Sequence, residues 1–265
     1  MPTPLYDPTA LRGAHRLHYS WTGWPSGDGF PSAPTELITL TKPLWLRDGL
    51  DVVESRWMRD MVQILFAASP HVSPQFIATR AKGRLDHAIR AAGLQMPISR
   101  KVALRAIGEN TRHDVETYIE TQVKKEQFAD DRFARELEQL IYIDDACDLL
   151  QPTPSSHGRY WYNLHLLLVT EGRFRIVELE ALRQLRAFTL RIAQKKSHAL
   201  SRLTVMPDHL HASLRPKFGE SPHEVAASYL NNLAHGINHG RMWQAGYYVG
   251  TFGEYTTHSM VGRDV

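Results

Sequence analysis

The stretch MVQILFAASPHVSP, residues 61–74, aligns without a gap with HLHASLRPKFGESP, residues 209–222, at a spacing of 148 residues. Both stretches end in Ser-Pro, and the same register continues into the segment that follows. Three pairs match there: Leu85 with Leu233, His87 with His235, and Ile89 with Ile237. Because several short motifs keep their order at one spacing, the sequence predicts an internal duplication of one domain.

A second match follows after a shift of three residues. The segment IGENT, which ends at Thr111, aligns with FGEYT at residues 252–256. The first copy continues into DVETYIETQVKKEQF, a helical pattern in which Thr111 and Asp114 have the spacing of a capping box. In the second copy Arg263 stands at the position of Tyr118. Each half is therefore expected to keep features that the other has lost.

The turn-rich segment QPTPSS, residues 151–156, separates the two copies and predicts domains of residues 1–150 and 151–265. Each half is expected to run strand, helix, strand, helix and a glycine-marked turn, with a last helix in the first copy. We expect opening strands at LHYSWTGW and WYNLHLLLV, and helices near residues 74–91, 177–194 and 222–238. The expected fold class is therefore α+β.

The composition is that of a soluble globular protein. Of 265 residues, 43% are hydrophobic and 22% charged, and no apolar run approaches the roughly 20 residues that span a bilayer. The first residues, MPTPLYDPTA, lack the basic and apolar blocks of a signal peptide. Cys147 is the only cysteine, which excludes an internal disulfide and a cysteine-rich zinc site and fits a reducing compartment. We therefore expect a cytoplasmic protein without a membrane partner.

The net charge of +3 is small, but it is unevenly distributed. Residues 151–265 carry 13 Lys and Arg against 8 Asp and Glu, a balance of +5, whereas residues 1–150 carry 18 against 20, a balance of −2. A basic half is compatible with a nucleic-acid partner. A solvated surface charge is the ordinary role of each basic residue. The candidates for phosphate contacts are Arg80, Lys82, Arg84, Arg173, Arg175, Arg215 and Lys217.

The basic half also carries two imidazoles close together, in the segment VMPDHLHASL. His209 and His211 are two residues apart, so in an extended strand both side chains point to the same face and can bind one metal ion. The apolar residues that follow them favour a strand. Asp208, directly before the pair, either orients a histidine or serves only to begin the strand.

Tyr118 and Gln122 lie four residues apart on the predicted last helix of the first half, so their side chains share one face. The second half contains VMPDHLHASL, the Ser-Pro helix start and MWQAGYYVGTFGE, and the first half contains SPQFIATRAKGRL and AIGENTRHDVETYIETQ. Through these segments the chain resembles the single-tyrosine HUH transposases of the transposase-A and REP-associated type. The resemblance covers most of the chain, in two incomplete copies.

That resemblance implies two ferredoxin-like or RRM-like HUH domains, each an antiparallel sheet with helices. It implies that His209, His211 and Gln122 bind a divalent metal, Mg²⁺ or Mn²⁺ with Zn²⁺ tolerated, and that Tyr118 attacks a DNA phosphodiester. Family members act as dimers in which the tyrosine helix of one subunit can serve the histidines of the other. The implied form here is a monomer that fuses this arrangement into a pseudo-dimer.

The sequence departs from the family in one respect. Met61 and Gln63 face His209 and His211 in the alignment, so the first half lacks the metal ligands. One composite site then remains, which favours a domesticated or REP-associated, nucleoid-associated enzyme on single-stranded or hairpin DNA over a self-mobilising transposase. Two alternatives stay open: a catalytically inactive, transposase-derived DNA-binding protein or regulator, and a metal-dependent hydrolase in which Tyr118 is structural.

Overall fold

Strands from both halves form two six-stranded sheets in the computed structural model, which describes residues 4–155, 158–237 and 240–260. The first sheet has the order β3 (Leu50–Trp57), β4 (Val62–Ala68), β2 (His18–Pro25), β5 (Ile98–Ile107), β8 (Gly158–Trp161) and β7 (Thr153–Ser155). The second has the order β6 (Tyr142–Ile143), β10 (Ala199–Val205), β11 (His209–Arg215), β9 (Leu164–Val169), β12 (Gly246–Thr251) and β1 (Arg12–Arg16). Neighbouring strands are antiparallel, except that β8 runs parallel to β5 and β1 parallel to β12.

Helices of both halves pack against these sheets. The α-helices within the described residues are α1 (Thr35–Arg47), α2 (Pro74–Ala91), α3 (Arg112–Glu120), α4 (Gln122–Lys125), α5 (Asp131–Gln139), α6 (Leu179–Lys196), α7 (Pro222–Ile237) and α8 (Thr257–Met260). Helices α1 and α2 contact the first sheet, and α6 and α7 contact the second. No helix in the described ranges is long and apolar enough to cross a membrane. The expected α+β class, with sheets rich in antiparallel pairs, is confirmed.

Helix α2 occupies the predicted range because local signals fix its start. Ser73 Oγ accepts a hydrogen bond from the Phe76 N–H (3.2 Å), and Pro74 fills the first helical position. The two predicted helices of the second half are observed as α6 and α7; position 238 of the prediction lies outside the described residues. The expected single strand between helices is a hairpin in each half, and a further strand precedes the glycine-marked turn.

Corresponding strands hold the same places in the two sheets. The first half contributes the order β3, β4, β2, β5, and the second half contributes β10, β11, β9, β12. Strand β1, which precedes β2, joins the second sheet beside β12, whereas β8, which precedes β9, joins the first sheet beside β5. Each half thus gives its leading strand to the sheet of the other. The domain boundary at residue 150 stays a prediction.

The two halves also share one hydrophobic core. Buried apolar side chains from both form a single contiguous cluster that includes Trp45 and Trp243. The rings of Tyr19 in β2 and Tyr162 before β9 lie 6.3 Å apart within it. Since both halves bury side chains in one cluster, packing fixes the two sheets relative to each other.

Candidate active site

His209 and His211 lie on one face of β11, as their spacing predicts. Leu210 and Leu214 of this strand are fully buried in the core, and alternation along a strand directs His209 and His211 to the opposite face. Helix α3 of the first half covers that opposite face where β10 and β11 run side by side. The histidines therefore face an element that comes from the other half of the chain.

Each histidine is held through its Nδ1 atom. Asp208 Oδ1 lies 2.6 Å from His209 Nδ1, and His165 Nε2 lies 2.9 Å from His211 Nδ1. The ring centres of His209 and His211 are 4.9 Å apart. Because Nδ1 of each ring is engaged, Nε2 is the atom that each ring can offer to a metal ion.

The surroundings keep the buried imidazoles uncharged. Burial lowers the pKa of His165 to about 4. Burial, neighbouring histidines and Lys125 together lower the pKa of His211 well below its ordinary value. For Asp208, burial acts to raise the pKa, but hydrogen bonds from its histidine neighbour and from Arg173 outweigh it, so the pKa is lowered. The neutral imidazole of His211 and the ionised carboxylate of Asp208 have the protonation states that metal binding requires.

Helix α3 begins as the sequence predicts and docks within its own chain. The Asp114 N–H donates to Thr111 Oγ1 (3.3 Å), and the Thr111 N–H donates to Asp114 Oδ2 (2.9 Å), which completes the capping box. Three contacts hold the helix on the second sheet: Ser201 Oγ donates to Glu116 Oε1 (2.7 Å), Thr204 Oγ1 donates to the Ile119 carbonyl (2.7 Å), and Arg202 forms an ion pair with Glu120.

This docking brings Tyr118 against the histidines. Its ring centre lies 5.3 Å from that of His211 and 6.0 Å from that of His165. Tyr118 is 42% exposed and lines a cleft of about 600 Å³ together with residues of β9, β11 and β12. Lys125 Nζ lies 4.3 Å from the centre of the tyrosine ring. A phenol, imidazoles and a cation thus meet in one cleft that is open to solvent.

The expectation of one continuous helix through Gln122 is wrong. Helix α3 ends at Glu120, and α4 begins only at Gln122. At this break Thr121 Oγ1 donates to the Thr117 carbonyl (2.7 Å), and Gln122 Nε2 donates to the Tyr118 carbonyl (2.7 Å). Side chains that bond to nearby carbonyls compete with the regular main-chain pattern, which accounts for the interruption.

Gln122, which the family resemblance implies as a third metal ligand, is buried with its amide nitrogen engaged in that bond. Its Oε1 atom is the part of the amide that suits a metal ion. Among residues 4–155, 158–237 and 240–260, no three His, Cys, Asp or Glu side chains form a group that could hold a metal. The donor set on the face of β11 therefore consists of His209 and His211, and the role of Gln122 stays a prediction.

The seven predicted phosphate contacts have different surroundings. Arg173 Nη1 donates to Asp208 Oδ2 (3.1 Å), which places it beside the histidines. Arg215 donates to Asn163 Oδ1 (3.1 Å) and to the Leu149 carbonyl, and burial lowers its pKa. The remaining five lie elsewhere: Lys82 pairs with Asp86, Arg84 pairs with Asp48, Arg80 lies over Phe76, Arg175 lies over Phe128, and Lys217 is exposed. Their roles in DNA binding stay predictions.

His165 is a site residue that the sequence analysis missed. It lies in the leucine-rich strand β9, which pairs with β11 and so brings its ring to His211. In the first sheet, strand pairing places Ser20 of β2 at the position that corresponds to His165 and Gln63 of β4 at the position that corresponds to His211. There Gln63 Nε2 donates to Ser20 Oγ (3.1 Å). A histidine inside a run of leucines was the available signal, but only the strand register gives it a partner.

A matched pair of main-chain hydrogen bonds joins the turns that follow β5 and β12. The Arg112 N–H donates to the Gly253 carbonyl (2.7 Å), and the Thr257 N–H donates to the Gly108 carbonyl (2.8 Å). The paired positions differ by 145 residues, the spacing of the shifted alignment. The two turns therefore contact each other reciprocally. Arg263, which is aligned with Tyr118, lies outside the described residues.

Most of the second half of the chain is similar in sequence to a transposase family. Residues 159–263 match the model of the IS200-like transposase family. The matched region contains His165, His209 and His211, whereas Tyr118 lies outside it.

A solved structure from Deinococcus radiodurans R1, of a protein assigned as a transposase, is also similar to the chain. The sequence identity is 25%, the similarity covers 37% of this chain and 84% of that chain, and the TM-score is 0.31. No curated protein matches the chain.

Proposed function

We propose that this protein is a metal-dependent endonuclease and strand transferase for single-stranded DNA, with Tyr118 as its nucleophile and hairpin or REP-like DNA as its substrate. The observation that carries the proposal is the 5.3 Å separation between the ring centres of Tyr118 and His211, which come from different halves of the chain. The IS200-like family of the second half supports DNA as the substrate.

In the proposed reaction a DNA phosphate enters the cleft between α3 and β11. The phenolic oxygen of Tyr118 forms a bond to phosphorus, and the bond to the 3′ oxygen breaks on the opposite side. The products are a 5′-phosphotyrosine and a free 3′-hydroxyl. The phenolic proton passes to solvent, which also protonates the leaving oxygen. Lys125, beside the ring, stabilises the negative charge on the phosphate and on the ionising phenol.

Donors for a divalent metal lie in the cleft and beside it: His211 lines the cleft, His209 lies two residues before it on β11, and Gln122 follows the lining residue Thr121. His209 and His211 would hold it through Nε2, with the amide oxygen of Gln122 as the proposed third ligand. Two imidazoles and an amide leave positions for phosphate and water, a set that suits Mn²⁺ or Mg²⁺, while the histidines also accept Zn²⁺. When bound, the ion polarises the scissile phosphate as a Lewis acid. Asp208 and His165 orient the two ligand rings.

We propose further that the chain acts as a monomer in which its halves replace the two subunits of a dimer, in the cytoplasm at the nucleoid. The reciprocal exchange of β1 and β8 supports this, as does the matched pair of hydrogen bonds between the turns after β5 and β12. The docking of α3 on the second sheet gives one composite site, since Met61 and Gln63 occupy the counterpart positions of the metal-binding histidines.

The nucleophile can be tested in the presence of Mn²⁺ with a single-stranded hairpin DNA labelled at its 3′ end, the end that stays on the fragment joined to the tyrosine. Wild type should form a covalent protein–DNA adduct, and Tyr118→Phe should form none, because it removes only the attacking oxygen. Tyr255→Phe is the matched control, since Tyr255 is equally exposed at 42%. It should form the adduct at the wild-type level, as resolved by denaturing electrophoresis.

Two results would contradict this proposal. Cleavage by both wild type and Tyr118→Phe without an adduct would indicate a metal-dependent hydrolase that activates water. Absence of cleavage with Mn²⁺, Mg²⁺ and Zn²⁺, with DNA binding retained, would indicate a DNA-binding protein without catalysis.

A further inference from the structure

The first sheet carries a second groove, at the counterpart of the active-site cleft. Met61 in its wall corresponds to His209 in the alignment at 148 residues. In the first sheet Thr22 of β2 pairs with Ala103 of β5, and both line the groove. In the second sheet Leu167 of β9 pairs with Tyr248 of β12 at the corresponding place, and both line the cleft. The groove, at about 680 Å³, is at least as large as the cleft.

The groove differs from the cleft in what lines it and in what it can bind. Residues of α3 line the cleft, whereas the described residues that line the groove come from strands and from the turn at Met61. The positions of the paired histidines are taken here by Gln63 and Ser20, which bond to each other. The groove therefore has room for a chain-like ligand but lacks imidazoles for a metal.

The wall of the groove is basic and aromatic. Lys101, Arg105 and Arg159 line it, and none of the lining residues that the structure describes is acidic. Lys101 and Arg159 are exposed. Arg105 lies 3.8 Å from the partly exposed Glu254, which is outside the groove lining. Three cations without a lining carboxylate attract a polyanion.

Two tryptophans stand among these cations. Trp24 is 36% exposed, in contrast to Trp21 on the same strand, which is fully buried. Trp161 is held in place, because its Nε1 donates to the Leu150 carbonyl (2.8 Å) and the guanidinium of Arg105 lies 3.7 Å from its ring centre. Trp161 is half-buried. Accessible aromatic rings interleaved with cations are the pattern of single-strand nucleic-acid binding, in which bases stack and phosphates pair with the cations.

We propose that this groove is a second, non-catalytic binding site for single-stranded DNA. Bases stack on Trp24 and on the Trp161–Arg105 pair, while Arg159 and Lys101 contact phosphates. The choice of DNA rests on the proposed function, whereas the preference for a single strand rests on the exposed Trp24 and the half-buried Trp161. The groove would hold one part of the DNA while the cleft acts on another.

The test uses a fluorescein-labelled oligo-dT without a hairpin, in EDTA, with binding followed by fluorescence anisotropy at several salt concentrations. The double variant Trp24→Ala/Arg159→Ala should lower affinity by about tenfold or more, through loss of one stacked base and one phosphate contact. The slope of log affinity against log salt should fall by about 0.7, the value for one single-strand phosphate. Trp24→Ala alone should reduce the quenching of tryptophan emission by DNA.

The control variant is Phe174→Ala/Lys195→Ala, which removes an exposed aromatic ring and an exposed lysine outside the groove. It should leave affinity and salt slope at their wild-type values. Equal affinity of wild type and the groove variant, with both folded by circular dichroism, would overturn the proposal. So would a wild-type preference for a duplex of the same length over the single strand.

The adduct assay separates this proposal from the proposed function. If wild type forms no adduct but the groove variant loses affinity for oligo-dT, the catalytic proposal fails and the groove stands. If wild type forms the adduct and the groove variant binds as wild type does, the groove proposal fails and the catalytic one stands.

Discussion

At the scale of single residues, His165 ties the histidine pair to the rest of the second sheet. It bonds to His211 and faces Tyr118, and burial lowers its pKa to about 4. A buried neutral imidazole that must stay uncharged makes the folded state sensitive to acid.

Acid sensitivity of the fold is a testable consequence. Between pH 6.5, the ordinary pKa of histidine, and about pH 4, the unfolded chain binds a proton at His165 that the folded chain excludes. The free energy of unfolding should therefore decrease as the pH falls through this window. Urea unfolding at pH 7.5 and pH 5 should show a smaller decrease for His165→Asn than for wild type.

His235→Asn serves as the control, because His235 is exposed on α7. It should lose as much stability between the two pH values as wild type does. If His165→Asn lost as much stability on acidification as wild type, acid sensitivity would have to originate elsewhere.

At the scale of elements, α3 connects the two halves and carries Tyr118, the proposed nucleophile. Its contacts with β10 are polar, and Thr204 is fully buried where its hydroxyl meets the Ile119 carbonyl. Fixing the helix at this point holds Tyr118 over β11. The break after Glu120 leaves the next turn, α4, to carry Gln122 and Lys125.

Loosening this contact should affect catalysis more than stability alone explains. Thr204→Val keeps the shape of the side chain but removes its hydrogen bond to Ile119, at a cost of about 1 kcal/mol. Amide hydrogen exchange of α3 should become faster, and the rate of adduct formation should fall severalfold.

Thr189→Val is the matched control. Thr189 is also fully buried, and its hydroxyl donates to the Leu185 carbonyl (2.8 Å) within α6. This variant should lose similar stability and form the adduct at nearly the wild-type rate. Equal loss of adduct formation in both variants would show that stability, not the docking of α3, limits the reaction.

At the scale of the whole molecule, the two halves share an architecture but differ in chemistry. The second sheet has His209 and His211 under the tyrosine helix, whereas the first sheet has an open groove at the corresponding place. A single chain should therefore carry one reactive centre.

The stoichiometry of the covalent product measures this. With hairpin DNA in excess and Mn²⁺ present, intact-mass spectrometry should find at most one DNA strand per chain. Peptide mapping should assign it to Tyr118. A product with two strands on one chain would rule out the single composite site.

Much of the fold was predictable because its signals are local. Ser73 and Pro74 fix the start of α2, and Thr111 with Asp114 fixes the start of α3. The strand of His209 and His211 follows from their alternation. These signals depend only on residues that are close in sequence, so they can be recognised without the structure.

The rest depends on distant pairing. The sequence near Arg12–Arg16 does not indicate that this strand joins β12, because parallel pairing of distant strands produces no characteristic local sequence pattern. His165 gains its partner from the register of β9 with β11. The helix is interrupted at Thr121 because side chains compete with main-chain N–H groups for the same carbonyls. Helix propensity does not predict the outcome of this competition.

The exchange of leading strands has a consequence for how the protein is made. During translation β1 leaves the ribosome long before β12 exists, and the edge of β5 stays unpaired until β8 emerges. Unpaired edges of nascent sheets invite aggregation, and contacts between distant segments form slowly. During synthesis there is therefore a long interval in which neither sheet has all of its strands. A nascent chain halted near residue 150 would be a substrate for chaperones or proteases.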